Sequence, residues 1–503
     1  MATDTPQRSY RAPCPGCGAP VEFRSAQSTH AVCSFCRSTV VRSGDKLERI
    51  GKMAELFDDH SPLQLGAGGT WDGRSFTLVG RIQYRSHSGT WTEWQALFGD
   101  GAAALLAEDN GHYVLAWPDD LGREPPAPER LRLGALNAIK GKTFSVAAND
   151  EAVLLSAQGE LPKLPPAAAW FPMVELRSAD GEVVSIDYGV TPPQVSRGRE
   201  VKLDELRMSG LAGESAREEK ARQFACPNCG APLEVRLQGT KSLACPSCHA
   251  VIDVDQGVGG ELRHAMQDEP VEPLIPLGSV GKLQGASWQV VGFQHRLGRD
   301  PSDDEEESFG WSEYLLYHRE KGFLFLVDAI DGWSVFRTAT GAPVLSPGGD
   351  TATYLGARYR LLERYSSEVS YVAGEFYWPV RRGQTTGHRE FGNGKTLLSM
   401  EQTAREVTWS VGSAISSDAV AAAFGQAARK DLFKRGDAGP TSPAGSGTGC
   451  GCAVILLIAL VIFALVILAT ARRTGDEGGG TMSSSPGSRG GSWGGYSSGG
   501  GHK

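Results

Sequence analysis

The chain has 503 residues, 40% hydrophobic and 21% charged, with ten cysteines and a net charge of −8. That length calls for several domains, each with its own core, and the mild acidity excludes wholesale binding to nucleic acid, which needs a basic footprint. The opening Met1–Arg11 is polar and lacks the apolar stretch of an export signal, so the thiols are expected in a reducing compartment, as metal ligands rather than disulfides.

Residues 8–44 read as a zinc ribbon. Cys14-Pro-Gly-Cys17-Gly-Ala-Pro is followed by Cys33-Ser-Phe-Cys36, with fifteen residues between Cys17 and Cys33. Zinc takes four thiolates in a tetrahedron at about 2.3 Å, and each Cys-x-x-Cys turn supplies two. Gly18 lets the backbone turn its amides toward the sulfurs. Four thiolates close the coordination shell, whereas catalysis needs an open position. The expected role is therefore structural, supplying folding energy to a piece too small to bury a core. Val21–Phe23, Ala31–Val32 and Thr39–Val41 are short β-like pieces. Leu47, Ile50, Ala54 and Phe57 then recur at helical spacing, which predicts a linker helix over 45–60 capped by Asp45.

Residues 61–199 read as an antiparallel β domain, sandwich or barrel, with strands at Ser75–Tyr84 and Thr90–Phe98 and Gly/Asp/Asn clusters between short strands. A charged helical linker over 200–224 leads to a second ribbon at 225–256, Cys226-Pro-Asn-Cys229-Gly-Ala-Pro and then Cys245-Pro-Ser-Cys248. A second β domain follows at 270–417, with strands at Gly322–Val327, Trp333–Phe336, Tyr354–Glu363 and Val369–Val380, and an Asn-Gly hairpin turn at Gly392–Gly394. The class is mainly β: two four-Cys ribbons alternating with two β domains.

The chain is then expected to close with a juxtamembrane helix at 418–436, a flexible linker at 437–449, a transmembrane helix at 450–471 and a disordered Gly/Ser-rich tail at 472–503. Ala453–Thr470 is uncharged, and at 1.5 Å per residue it spans ~27 Å against ~30 Å of hydrocarbon. Arg429, Lys430, Lys434 and Arg435 precede it and Arg472 and Arg473 follow. That excess predicts a single-pass protein of the cell membrane with its bulk on the cytoplasmic side. Cys450 and Cys452 read as interfacial thiols, with lipid attachment as the rarer alternative.

The halves repeat. Cys226 lies 212 residues after Cys14, and the same offset links Leu65-Gly66 to Leu277-Gly278, Gly73 to Gly285, Phe76 to Trp288 and Val79-Gly80 to Val291-Gly292. Trp91-Thr-Glu93-Trp94 matches Trp311-Ser-Glu313-Tyr314 at offset 220, so the second copy gains eight residues, around the acidic run Asp300–Glu307. Gly159-Glu160-Leu161 aligns weakly with Gly374-Glu375-Phe376.

This pattern of Leu-Gly, an aromatic strand ending in Val-Gly, and Trp-x-Glu-aromatic resembles a bacterial domain-of-unknown-function family, number 4178, over 61–199 and 273–417. Glu406–Gly412 also resembles the family's closing strand; Val184–Gly189 departs from it. The family pairs such domains with CPxCG ribbons. The resemblance implies no established activity, only an association with membrane proteins and polyamine-synthase-like enzymes.

Trp91 and Glu93, like Trp311 and Glu313, alternate with their neighbours and so share one strand face. A carboxylate beside an aromatic ring can bind a cation, such as a polyamine or a basic peptide. The commoner arrangement is a core Trp with its Glu paired to an Arg or to backbone amides. Ribbon one carries Arg8, Arg11, Arg24, Arg37 and Arg42 against Glu22, but ribbon two is not basic, so a solvated surface is favoured over nucleic-acid binding. Gly392–Thr396 mimics the end of a phosphate loop, but Arg389 stands where the leading Gly belongs. No catalytic set stands out. The expected function is a membrane-anchored scaffold holding two structural zinc ions, whose β domains recognise a partner protein or cationic ligand. The alternative is an enzyme or enzyme subunit using the Trp/Glu pairs; a third is nucleic-acid binding through ribbon one.

Overall fold

A computed structural model describes residues 10–24, 28–43, 46–52, 61–87, 89–109, 112–166, 168–212, 222–236, 240–254, 263–265, 271–299, 308–318, 321–380 and 383–435. The β regions are closed barrels. In the first copy, Arg74–Ser86 pairs in turn with Thr90–Phe98, Ala103–Asp109, His112–Pro118, Gln194–Val201, Glu182–Asp187, Trp170–Ser178 and Lys142–Leu161, which returns to Arg74–Ser86. In the second, the circuit runs Ala286–Arg299, Ser308–His318, Gly322–Ala329, Gly332–Ala339, Val407–Ile415, Thr396–Gln402, Thr385–Asn393 and Ala357–Phe376, and back. Every ladder is antiparallel, and closure removes the free edges an open sheet would leave.

Lys142–Leu161 and Ala357–Phe376 are each 20 residues long. They serve two partners in succession. Phe144–Val153 pairs with Trp170–Ser178 on one edge, and Leu154–Gly159 pairs with Arg74–Ser86 on the other. Register shifts at Val146/Ala148 and Leu154/Ser156 bend the strand between these duties. Its last residues would leave an open edge. The ribbon fills it, with Val32, Ala31 and His30 opposite Gly159, Glu160 and Leu161. Ser242 and Leu243 do the same opposite Phe376 and Glu375.

Alternation gives each barrel an inner and an outer apolar face. Outside the first, Phe76, Leu78, Trp94 and Leu115 are covered by Leu203, Leu206, Met208 and Leu211. Outside the second, Trp288, Leu316, Leu324 and Val335 are covered by Ile275, Val420, Ala421, Phe424 and Phe433. The barrels also touch: Ala342 N donates to Ser178 O at 3.0 Å and Asn149 N to Arg405 O at 3.0 Å.

Three helix predictions need correction. In the 45–60 segment, Lys46–Lys52 is a strand paired with Ser38–Ser43. Val40 is buried and needs its strand flanked, and Leu47 packs on the knuckle core. In the 200–224 linker, Lys202–Gly210 forms turns that fold back on Gly68 and Thr70 through backbone bonds, burying Leu206, and Arg222–Ala225 is a strand of the second ribbon. Contact with the barrel's outer face overrode helix propensity. Over 418–436 the α-helix is Ser417–Ala423 only, and a 3₁₀ segment, Ala427–Phe433, follows past Gly425 at φ +69°. The break lets Phe433 and Phe424 reach the same apolar cluster.

No helix among the described residues is long and apolar enough to cross a membrane. The predicted span at 450–471, its linker, the tail and the run Asp300–Glu307 all lie outside them, as do residues 53–60 and 213–221 of the first two predicted helices.

Candidate metal centres and barrel interiors

Each ribbon brings its two cysteine turns together at the ends of two hairpins. Cys14 N donates to Ala19 O and Gly18 N to Cys14 O; Cys33 N donates to Ser38 O and Arg37 N to Cys33 O. Ribbon two repeats this at Cys226, Gly230, Cys245 and His249. These turns close through positive φ at Gly18, Arg37, Gly230 and His249. The sulfurs stand 3.7 Å apart for Cys14–Cys36, 3.6 Å for Cys17–Cys33, 3.7 Å for Cys226–Cys248 and 3.8 Å for Cys229–Cys245. All four in each set lie within 4.8 Å of one another. Metal–sulfur bonds of ~2.3 Å define a tetrahedron with edges of about 3.8 Å, so both quartets fit one ion each. Bonds from the Ser38 side chain and backbone bring the Cys36 thiol down to about 6. Cys17 rises to about 12: the Ala19 amide favours its thiolate, but bonds with the neighbouring thiols and burial outweigh it. Four sulfurs this close cannot all ionise unless a cation joins them.

The knuckles are tied to the barrels by a carboxylate the sequence reading did not single out. Glu160 is buried and accepts from Arg24 N at 2.6 Å. Its counterpart Glu375 accepts from Arg236 N at 3.0 Å and from the Thr240 hydroxyl. The preceding glycines are where two strands meet. A Cβ on Gly159 would sit 2.3 Å from Val79 O, and one on Gly374 2.3 Å from Val291 O. The signal was there: the weak match of Gly159-Glu160-Leu161 to Gly374-Glu375-Phe376 is structurally equivalent, since Gly159 pairs with Gly80 and Gly374 with Gly292.

The Trp/Glu pairs do share a face, and that face points into the barrels. Trp91 Nε1 donates to Glu93 Oε1 at 3.0 Å, and Trp311 Nε1 to Glu313 Oε1 at 2.6 Å. The two pairs sit in separate barrels. Neither borders the larger surface cleft, of about 690 Å³, which lies between Trp71, Trp117 and Arg197 on the first copy. In the second barrel a cation already stands over the ring: the Arg296 guanidinium lies 5.7 Å from the Trp311 centroid. In the first, Tyr84 stacks on Trp91 instead.

That difference runs through the whole interior. Strand registers align Ile82 with Gln294, Tyr84 with Arg296, Ala152 with Ser367, Phe171 with Thr386, Met173 with His388 and Asp187 with Glu401. The first interior is more apolar, though it keeps Glu93 and Asp187 and, on the strand face of Phe171 and Met173, the buried ion pair of Glu175 with Arg177. The second holds a charged network. Arg296, fully buried, donates to Glu401 Oε1 at 3.1 Å, to Ser367 Oγ at 2.8 Å and to Thr386 Oγ1. His388 lies flat against Tyr365, with ring centroids 4.7 Å apart. Glu390 accepts from Ser399 Oγ at 2.8 Å and Tyr365 OH at 3.2 Å. Burial pushes Glu313 up to about 7 and Glu390 to about 8, raises Glu401 well above its ordinary value, and drives His388 well below its own. The sequence carried a trace of this, since Gln294 and Arg296 alternate on a strand where the first copy reads Ile82 and Tyr84.

The ribbon-one arginines are partly engaged: Arg42 lies over the Tyr10 and Phe23 rings and Arg24 pairs with Glu22. Arg8 is outside the described residues.

Compared with known proteins, residues 64–203 and 276–417, more than half the chain, match the family described as a domain of unknown function, DUF4178. No curated protein and no solved structure matches it.

Proposed function

We propose, for a chain that belongs to the DUF4178 family in both its halves, the role of a zinc-stapled scaffold held at a membrane, whose paired barrels recognise a partner protein or a cationic ligand. Zinc is the ion because four thiolates suit a borderline-soft cation with no geometric demand of its own. The observation that carries the reading is the splice between knuckle and barrel: Glu160 and Glu375 bind ribbon amides, and ribbon strands extend the barrels' longest strands. Metal affinity thereby becomes barrel stability. Closed shells leave the ion no catalytic position. The apolar run Ala453–Thr470 supplies the anchor.

The test uses the full chain expressed with its native membranes. It should resist extraction by high salt and, once solubilised in detergent, carry about two zinc ions per chain and no chromophore. Chelation should lower the melting temperature of both barrels together. A colourless, metal-free protein that melts unchanged after chelation, or release from the membrane by salt alone, overturns the reading.

A further inference from the structure

Besides the barrel walls, the two copies meet at a place that ribbon two makes. Lys241 Nζ donates to Thr90 O of the first copy at 3.0 Å. Thr90 follows the turn that joins Arg74–Ser86 to Thr90–Phe98, and Ser86 N closes that turn by donating to Gly89 O at 2.8 Å. The ammonium fills the space a side chain at residue 89 would need: a Cβ on Gly89 would lie 2.6 Å from Lys241 Nζ. Lys241 is 6% exposed, and Thr90 O is the one acceptor its ammonium meets among the described residues. An ammonium carries three donors, and burying it against one acceptor costs free energy. Its place is therefore imposed by the backbone that carries it. The second copy reaches the same turn at another point, since Asp150 Oδ1 lies 2.9 Å from His87 Nδ1 and 3.5 Å from Arg405 Nε.

The backbone that seats Lys241 belongs to the knuckle. Lys241 N donates to Phe376 O at 2.7 Å, at the end of the second barrel's long strand, and Lys241 O accepts from Val254 N at 2.8 Å. The next residues, Ser242–Ala244, pair with Val251–Asp253, and Cys245 and Cys248 lie between those two strands. A hairpin this short takes its order from the ion its sulfurs share. Ribbon one is the comparison within the chain. Thr29 stands 212 residues before Lys241 and makes the same two backbone bonds, Thr29 N to Leu161 O at 3.2 Å and Arg42 N to Thr29 O at 2.9 Å. Its hydroxyl lies 2.8 Å from Nδ1 of the adjacent His30, and among the described residues it meets none of the second copy. The seat is repeated; the side chain that crosses between copies is not.

We propose that Lys241 makes ribbon two a metal-dependent clasp between the copies. With the quartet of Cys226, Cys229, Cys245 and Cys248 closed, the lysine pins the 86–90 turn of the first barrel; with the quartet open, the turn is released. Ribbon one, with Thr29 at that position, staples its own barrel only. This rests on the reading of the quartets as zinc staples and adds a task that one of them performs across the chain. The turn it governs leads directly into the strand of Trp91 and Glu93, so the metal of the second copy bears on the order of the first.

Hydrogen exchange by mass spectrometry on the full chain in detergent tests this, with zinc content measured for each variant. Lys241→Thr, which installs the residue ribbon one has, should keep both zinc ions and the protection of 242–254, while the amides of Ser86 and His87 exchange about tenfold faster. Cys229→Ser should lose one zinc and loosen the same turn. Cys17→Ser should lose one zinc and leave the turn as it was. Should Cys229→Ser fail to fold, chelation replaces it: the turn of the parent chain should loosen as zinc leaves, and that of Lys241→Thr, already loose, should change no further. An unchanged turn in Lys241→Thr, or equal loosening by Cys17→Ser and Cys229→Ser, overturns the clasp. If the parent holds about two zinc ions, that result leaves the scaffold standing; a parent without zinc removes the scaffold and the clasp together.

Discussion

At the scale of single residues, carboxylates do most of the joining, and their roles follow from what they accept. Glu160 takes a backbone N–H from the ribbon, and Glu375 takes the equivalent N–H plus a hydroxyl. A charge-assisted bond of this kind is worth about 1.5–3 kcal/mol. Glu160→Gln should therefore loosen the ribbon without emptying it: zinc content unchanged, but the amides of Ala31 and Val32 exchanging at least tenfold faster by hydrogen-exchange measurement. Loss of zinc in this variant would show that the carboxylate supports the knuckle rather than the joint. The Trp/Glu pairs show what a single strand can and cannot disclose. Alternation placed Trp91 with Glu93 and Trp311 with Glu313 on one face. It could not say that the face turns inward, because closure of the barrel is a long-range fact. Nor could it say that Arg296, fifteen residues before Trp311, supplies the cation over the ring.

At the scale of elements, the strands were legible, the helices expected over 45–60 and 200–224 were not, and the one over 418–436 was legible only as far as Ala423. Strand residues alternate within a few positions, and Ser75–Tyr84 and Thr90–Phe98 fall inside or on observed strands. The apolar spacing at Leu47 and Ile50 suits a helix in isolation, but the edge of Ser38–Ser43 decides the outcome through contacts distant in sequence. Ala357–Phe376 hides a different difficulty. Two strands were expected, at Tyr354–Glu363 and Val369–Val380, where one long bent strand carries both duties. Its register shifts fall at Leu361/Glu363 and opposite His295/Arg296, and near its end Gly374 stands at φ +84°, where an added Cβ would lie 2.3 Å from Val291 O. Gly374→Ala should cost more than about 3 kcal/mol, since a left-handed conformation and a backbone clash coincide. The expected reading is a lowered calorimetric melt for the second barrel alone. Gly285→Ala is the control: φ is +76° there, but nothing lies within 4 Å, so the cost should stay near 1 kcal/mol.

At the scale of the molecule, duplication gave two barrels with one topology and different interiors, and that difference predicts different responses to pH. The repeat was legible because cysteine spacing and Val-Gly pairs survive as strings. The divergence was not, because it lies in single inward positions scattered over four strands. Within the second barrel, burial raises Glu313, Glu390 and Glu401 above an unfolded value near 4.5. The folded barrel therefore holds more protons than the unfolded chain. The stability this confers is complete below about pH 4.5 and is lost as pH rises through the folded values, about 7 and 8 for the first two. His388 acts in the opposite sense: held neutral by burial and by Arg296, it loses stability as pH falls below 6.5. Three carboxyls outweigh one imidazole between pH 5 and 8, and above pH 6.5 they act unopposed. In the first barrel Tyr84 replaces Arg296, and the buried guanidinium is Arg177, paired with Glu175. Calorimetry of the zinc-loaded chain from pH 5.5 to 8.5 should show the second barrel's melt falling by several degrees while the first stays level. Glu390→Gln should flatten the fall, because a permanently neutral side chain has no proton to lose. A parallel decline in both barrels would place the pH response in the zinc knuckles they share.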